Sequence, residues 1–209
     1  MRVIAGSAKG FGLAAPKHLG LRPTPERVKE AIFSSLAARV PGARVLDLFA
    51  GTGAFGIEAL SRGAESAVFV EKDGRAMALV AENLRKTRLG ERARMFRDDA
   101  RHAIEVLARE GAAFDLVFAD PPYHKPNEAA RAGGEGERRR EAFSWTRVLL
   151  DSEALPRLVA PGGLFLLEHF AKDEALASAH FEAGKSLGFG DSRVQVYAPG
   201  GSLPPPGAG

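Results

Sequence analysis

No cysteine occurs among the 209 residues. This excludes disulfides, cysteine nucleophiles and thiolate metal sites. Side-chain amides are nearly as scarce, with Asn83, Asn127 and Gln195 alone, a bias shared by heat-adapted proteins and by GC-rich genomes. No apolar run reaches the roughly 18 residues of a transmembrane helix. The start, Met1-Arg2-Val3-Ile4-Ala5-Gly6-Ser7, lacks the long apolar core of a signal peptide. His18, His102, His124, His169 and His180 show no close metal-ligand spacing, so no metal is expected. These absences together point to a cytoplasmic protein. The hydrophobic content of 45% and charged content of 26% are ordinary for a globular chain. The length suits one α/β domain with a small appendage.

Charge is unevenly placed. Residues 1–44 hold eight Lys and Arg (Arg2, Lys9, Lys17, Arg22, Arg27, Lys29, Arg39 and Arg44) against Glu26 and Glu30, in a chain whose net charge is +3. A basic head on a slightly acidic body is the pattern of a polyanion-facing surface, and equally of a solvated face. Within this head, residues 2–13 alternate loosely around Gly6, Gly10 and Gly12 and predict a short β-hairpin carrying Lys9 near its turn. Such a hairpin is too small to stand alone and must dock on something. Arg22-Pro23-Thr24-Pro25 leads into a helix, with Thr24 as its N-cap and Pro25 at its first position. Arg27 on the first turn opposes the helix dipole, which hints at an anionic partner for Arg22 or Arg27.

Strands and helices then alternate. Arg44 to Phe49 reads as a buried strand, Ala50-Gly51-Thr52-Gly53 as a tight loop, and Ala54 to Arg62 as a helix. Strand, glycine loop and helix N-terminus form a nucleotide-cofactor site. The G-x-G-x-x-G match from Gly51 to Gly56 is weak alone. Asp47 sharpens it, because a pyrophosphate has little use for a carboxylate and a cofactor with a cationic amino-acid end does. Glu71 ends the next strand 18 residues after Gly53, near the ~20 expected of a ribose-binding acid. A helix over 75–88, a strand over 93–97 and a helix over about 100–110 follow. Asp98 or Asp99 is placed either to cap that helix or to meet an adenine amino group.

The run Phe114 to Ala119 is a fourth strand, stopped by Asp120-Pro121-Pro122-Tyr123. Two prolines cannot continue a sheet ladder, and each holds the residue before it extended. A carboxylate, free carbonyls and an aromatic ring then sit where open α/β sheets bind ligands. Asp120 and the Pro121 carbonyl suit the N–H groups of an amino-bearing base, and Tyr123 its face. Residues 124–142 are polar and charged and read as a loop over the site. A helix over 145–159 ends at Pro161-Gly162-Gly163, a fifth strand covers 164–168, and strands over 181–187 and 193–197 make an antiparallel pair at the sheet edge.

Asp47-Leu48-Phe49-Ala50-Gly51-Thr52-Gly53, Glu71 and Asp120-Pro121-Pro122-Tyr123, in this strand–helix order, resemble class I S-adenosylmethionine-dependent methyltransferases that act on base amino groups. Met1 to Gly6, Lys9-Gly10, Leu21-Arg22-Pro23-Thr24, Arg27-Val28, Leu60-Ser61-Arg62-Gly63 and Gly190-Asp191 are similar to the bacterial 16S ribosomal RNA guanine-N2 methyltransferases of the RsmD family. Departures are the charged insertion after Tyr123, Pro25 before Glu26 where Thr-Asp is common, and Ser34-Ser35 in place of an Asn-containing segment. The resemblance implies a seven-stranded Rossmann-like α/β sheet, mostly parallel with an antiparallel C-terminal hairpin. It divides the chain into an N-terminal hairpin extension, 1–21, and a methyltransferase domain, 22–209. It implies S-adenosyl-L-methionine held by Asp47, Phe49, Ala50, Gly51, Thr52, Gly53, Glu71, Lys72, Asp99 and Ala100, with Asp98 the second choice at the adenine. Asp120, Pro121, Pro122 and Tyr123 become the catalytic set, and Arg2, Lys9, Arg22, Thr24 and Arg27 the contacts to 16S ribosomal RNA. The substrate is expected within a small-subunit particle and the enzyme as a monomer. An adenine-N6 methyltransferase, a non-catalytic RNA binder on the same fold and a nicotinamide-dependent oxidoreductase are the competing readings.

Overall fold

The computed structural model describes residues 1–15, 26–122, 144–171 and 177–200. Its frame is one seven-stranded sheet. Strands β1 (Arg44–Asp47), β2 (Ser66–Val70), β3 (Ala93–Phe96) and β4 (Phe114–Ala119) are parallel, and β5 (Val159–Phe170) continues them. Strands β6 (Phe181–Phe189) and β7 (Ser192–Pro199) run antiparallel, in the order β3-β2-β1-β4-β5-β7-β6. The inner strands are apolar on both faces because helices cover both sides. One face carries Val45, Phe69, Phe118 and Leu166 beneath α1 (Glu26–Ser35), α2 (Ala54–Ser61) and α3 (Gly74–Thr87). The other carries Leu46, Val117 and Phe165 against α4 (Ala100–Arg109), α5 (Trp145–Leu150) and α6 (Leu155–Leu158).

Two elements differ from the sequence reading. The single helix expected over 145–159 is split into α5 and α6. Pro156 has no N–H to continue the ladder, and the Ser152 hydroxyl accepts from Leu155 N at 3.1 Å to start the second helix. Pro161-Gly162-Gly163 lies inside β5, where the register with β4 shifts between Phe114 and Leu116. A Cβ on Gly163 would sit 2.9 Å from the Ala160 carbonyl oxygen and 3.0 Å from that of Phe114. Only glycine lets the two strands close around this bulge. The predicted C-terminal pair is present, with β7 between β5 and β6.

The N-terminal hairpin is pared to one antiparallel bridge, Arg2 with Gly12, flanked by Val3 N–H to Phe11 O at 3.0 Å and Gly10 N–H to Val3 O at 2.9 Å. What holds it is α2. Glu58 is fully buried and accepts from the backbone N–H of Ile4 at 2.9 Å and of Ala5 at 3.0 Å. The Ser61 hydroxyl donates to Ala5 O at 2.6 Å and accepts from Ala8 N at 2.9 Å. Gly6, at φ +84, lies so close that a Cβ there would be 1.8 Å from Ser61 O. Val3, Ala8 and Leu13 enter the same core as α1 to α3. Glu58 is ion-paired with the equally buried Lys29 at 3.1 Å, and with Arg62 at 2.8 Å. Burial pulls the Lys29 ammonium below its ordinary range, and Glu58 pulls it back up.

Candidate active site

Four consecutive strand ends build the site. In register, Asp47 pairs with Phe69 of β2 and with Phe118 of β4. The chain leaving β1 turns through Gly51 (φ +55) and Gly53 (φ +77), left-handed values that favour glycine. Gly53 is the N-cap of α2. Its close packing leaves a Cβ only 3.2 Å from Ile57 and 3.3 Å from Val80. Glu71 stitches two loops together, accepting from Gly51 N at 2.9 Å and from Asp73 N at 2.8 Å. Asp47, only 3% exposed, accepts from Gly56 N in the first turn of α2 at 3.1 Å.

Desolvation pushes the Asp47 carboxyl from 3.8 to about 7, against the Gly56 N–H and helped by the charge of Glu71. The folded chain then binds more protons than the unfolded one, so stability falls as pH rises from about 4 towards about 7. Asp47→Asn is expected to flatten this part of the stability curve. Denaturant midpoints across that range decide it, and parallel curves for the two proteins would remove Asp47 as the cause.

Asp99 caps α4, accepting from Arg101 N at 3.1 Å, and faces Lys72 at 3.5 Å and the Arg101 guanidinium at 3.2 Å. Its partial burial pushes the carboxyl up, but the Arg101 hydrogen bonds and the Arg101 and Lys72 charges together hold it below the usual range. Asp98 turns to its own surroundings, accepting from Asp99 N and pairing with His102. Ala100 is buried at the first turn of α4. Phe49 meets Trp145 edge-on at 5.1 Å between centroids, and Arg101 lies 5.6 Å over the same indole.

At the end of β4, Asp120 is half-buried, Pro121 buried and Pro122 exposed; Tyr123 lies outside the described residues. Asp120 shares a narrow cleft with Asp47, Glu168, Phe55 and Phe118. The structure thus brings Asp47, Gly51, Gly53, Glu71, Asp99 and Asp120 to one edge of the sheet.

The basic head is partly neutralised. Lys29 is buried on Glu58, Arg44 is gripped by Asp115 at 3.1 Å, and Arg2 pairs with Glu26 at 3.2 Å. Lys9 and Arg27 are exposed and make no ion pair among the described residues. Lys17, Arg22 and Thr24 lie outside them.

Sequence reasoning missed four residues here. Glu58 carried a signal, as the one charge in the apolar run of α2. Glu168 follows an apolar run, as Glu71 does, although β5 runs on to Phe170. Trp145 gave none. Asn83, wholly buried in α3, accepts from Ala14 N at 2.7 Å and donates to Thr52 O at 2.9 Å, tying the arm to the glycine loop.

A family model described as Conserved hypothetical protein 95 matches residues 1–132. Over 123 residues the chain is 46% identical to YlbH of Bacillus subtilis (strain 168), provisionally named an rRNA methyltransferase, covering 59% of this chain and 67% of that one. It is 39% identical over 125 residues to Ribosomal RNA small subunit methyltransferase D of Escherichia coli (strain K12), covering 60% of this chain and 61% of the relative, which is under two thirds of its length. A solved hypothetical protein of Thermus thermophilus superposes with a TM-score of 0.72 at 31% identity, over 94% of this chain and 98% of that one.

Proposed function

The chain belongs to the Conserved hypothetical protein 95 family, and on that footing we propose that it methylates the N2 amino group of a guanine in 16S ribosomal RNA. The observation that carries this is the row of strand-end acids, Asp47, Glu71 and Asp99, beside the Gly51 and Gly53 turns and next to Asp120-Pro121. That set of acceptors fits S-adenosylmethionine: an ammonium group, two ribose hydroxyls and an adenine amino group each need one. When bound, the cofactor supplies the reactive methyl on a sulfonium.

Glu71 takes the ribose hydroxyls with the lone pairs left by the Gly51 and Asp73 N–H bonds. Asp99 takes the adenine amino group, since it faces the β2 end through Lys72 while Asp98 is turned to His102. Asp47 fixes the loop through Gly56, and its ionised form would be favoured by a cofactor ammonium group nearby. Phe49, Ala50, Thr52 and Ala100 line the same edge.

The target base leaves its stack to enter, at a cost of a few kcal/mol. Stacking on Tyr123 offsets ~1–3 kcal/mol of that. A guanine amino lone pair is delocalised into the ring and is a poor nucleophile. Asp120 and the Pro121 carbonyl hold its two hydrogens so that the lone pair faces the methyl carbon, an orientation effect. Asp120, or water, would take the proton that the amino nitrogen sheds when it accepts the methyl. The exposed Lys9 and Arg27 would meet the RNA backbone, with Arg2 exchanging Glu26 for a phosphate and Arg22 and Thr24 assigned there from the sequence alone, and the enzyme would act as a monomer on a small-subunit particle.

Labelled S-adenosylmethionine and unmodified small-subunit particles test this, with digestion of the RNA and identification of the modified nucleoside. N2-methylguanosine is expected. N6-methyladenosine would overturn the choice of base, and no label despite measured cofactor binding would overturn the reaction.

A further inference from the structure

We propose that Glu168 selects guanine by accepting its ring N1–H, making it the residue that separates guanine from adenine. This rests on the base-methylation reading above. Ala119 of β4 pairs with Leu167 of β5, so Asp120 and Glu168 are the next positions on neighbouring parallel strands. Alternation along a strand puts Phe118 and Asp120 on one face, and Leu166 and Glu168 on that same face, since Phe118 pairs with Leu166. Asp47, opposite Phe118 on the other side, completes the row. All three acids line one cleft, walled by Phe55 and Phe118.

The chemistry of the base distributes the acceptors. Guanine presents N1–H and one N2–H on its Watson–Crick edge, with the second N2–H turned towards N3. Asp120 and the Pro121 carbonyl account for the amino pair and leave N1–H needing a third acceptor. Asp47 is committed to the glycine loop through Gly56 N at 3.1 Å and is 3% exposed. Glu168 is the remaining carboxylate of the cleft. An ionised carboxylate accepts at about four positions, so other contacts leave it capacity. Adenine, or any base with an unprotonated N1, brings a lone pair against that carboxylate. Sites built around a substrate N–H reject analogues lacking it far more strongly than apolar pockets reject a missing methylene.

The test uses 2-aminopurine, which keeps the 2-amino group and has no hydrogen on N1. Small-subunit RNA carrying either guanine or 2-aminopurine at the mapped target position is assembled into particles and assayed with the full chain. For the wild type, kcat/KM on guanine is expected to exceed that on 2-aminopurine by about a hundredfold or more. Glu168→Gln, whose amide can donate to an unprotonated N1, is expected to narrow the ratio to below about tenfold, with S-adenosylmethionine affinity unchanged. Equal wild-type rates on the two bases overturn the role of Glu168 and leave the methylation reading standing. A Glu168→Gln enzyme that loses rate on both bases alike also overturns it, because a supporting role moves both together. Failure of the wild type to modify guanine overturns the methylation reading itself.

Discussion

Asp120→Ala is expected to lower single-turnover methylation by roughly 10²- to 10⁴-fold while S-adenosylmethionine affinity stays within about threefold. The asymmetry follows from position. Asp120 stands two residues beyond Phe118, whose partner Asp47 underlies the glycine loop. The hydrogen bonds that shape that loop, from Gly51 N to Glu71 and from Gly56 N to Asp47, do not involve Asp120. Truncation therefore removes the group that orients the amino lone pair and leaves the cofactor's acceptors in place. Trp145 is the only tryptophan in the chain and packs on Phe49, so its fluorescence gives the cofactor titration in both proteins. Turnover that survives the substitution would defeat the mechanism, and a parallel loss of cofactor binding would reassign Asp120 to the cofactor site.

Glu58→Ala carries the largest expected loss of stability, about 3–5 kcal/mol. Its carboxylate accepts from Ile4 N, Ala5 N and Arg62 and pairs with Lys29, and both Glu58 and Lys29 are 0% exposed. Truncation leaves a buried ammonium with the Arg2 carbonyl at 2.8 Å but without its paired carboxylate, and strands two backbone donors. Joint replacement of Glu58 by Leu and Lys29 by Met should recover much of the loss, since an apolar pair removes the stranded charge. Urea midpoints measure both. A single-variant shift below about 0.5 kcal/mol would mean that the pair opens to water in solution. Amide exchange at Ile4 and Ala5 should rise in step, because the arm loses its grip on α2.

The strand ends were legible because each is announced locally. Asp47 interrupts an apolar run four residues before Gly51, Gly53 follows closely, Glu71 closes the next run, and the prolines after Asp120 stop the fourth strand. A physical rule ties each residue type to its neighbours within a few positions. The arm's docking was not legible, because Glu58 meets Ile4 across 54 residues and Asn83 meets Ala14 across 69. No periodicity records such a meeting. The charge of residues 1–44 misled for the same reason: Lys29 and Arg44 look like surface cations in the sequence, yet their partners Glu58 and Asp115 come from far along the chain. The helix drawn over 145–159 failed at Pro156, a signal that was present and outweighed by apolar spacing. Glu168 shows the remaining gap, since its meaning depends on which strand lies beside it.

The anchors of the arm also fix an order of assembly during synthesis. Residues 1–15 are made before the partners that hold them, Glu58, Ser61 and Asn83. Until α2 has been made, the arm meets only Glu26 and Lys29 of α1, and closing so long a loop costs entropy that only the later contacts return. The arm therefore waits, open, while β1 and α2 form behind it. It is sealed only when the residue that holds Thr52 also arrives to hold Ala14. A nascent chain halted before Glu58 should expose residues 1–15 to protease, and one halted after β4 should shield them.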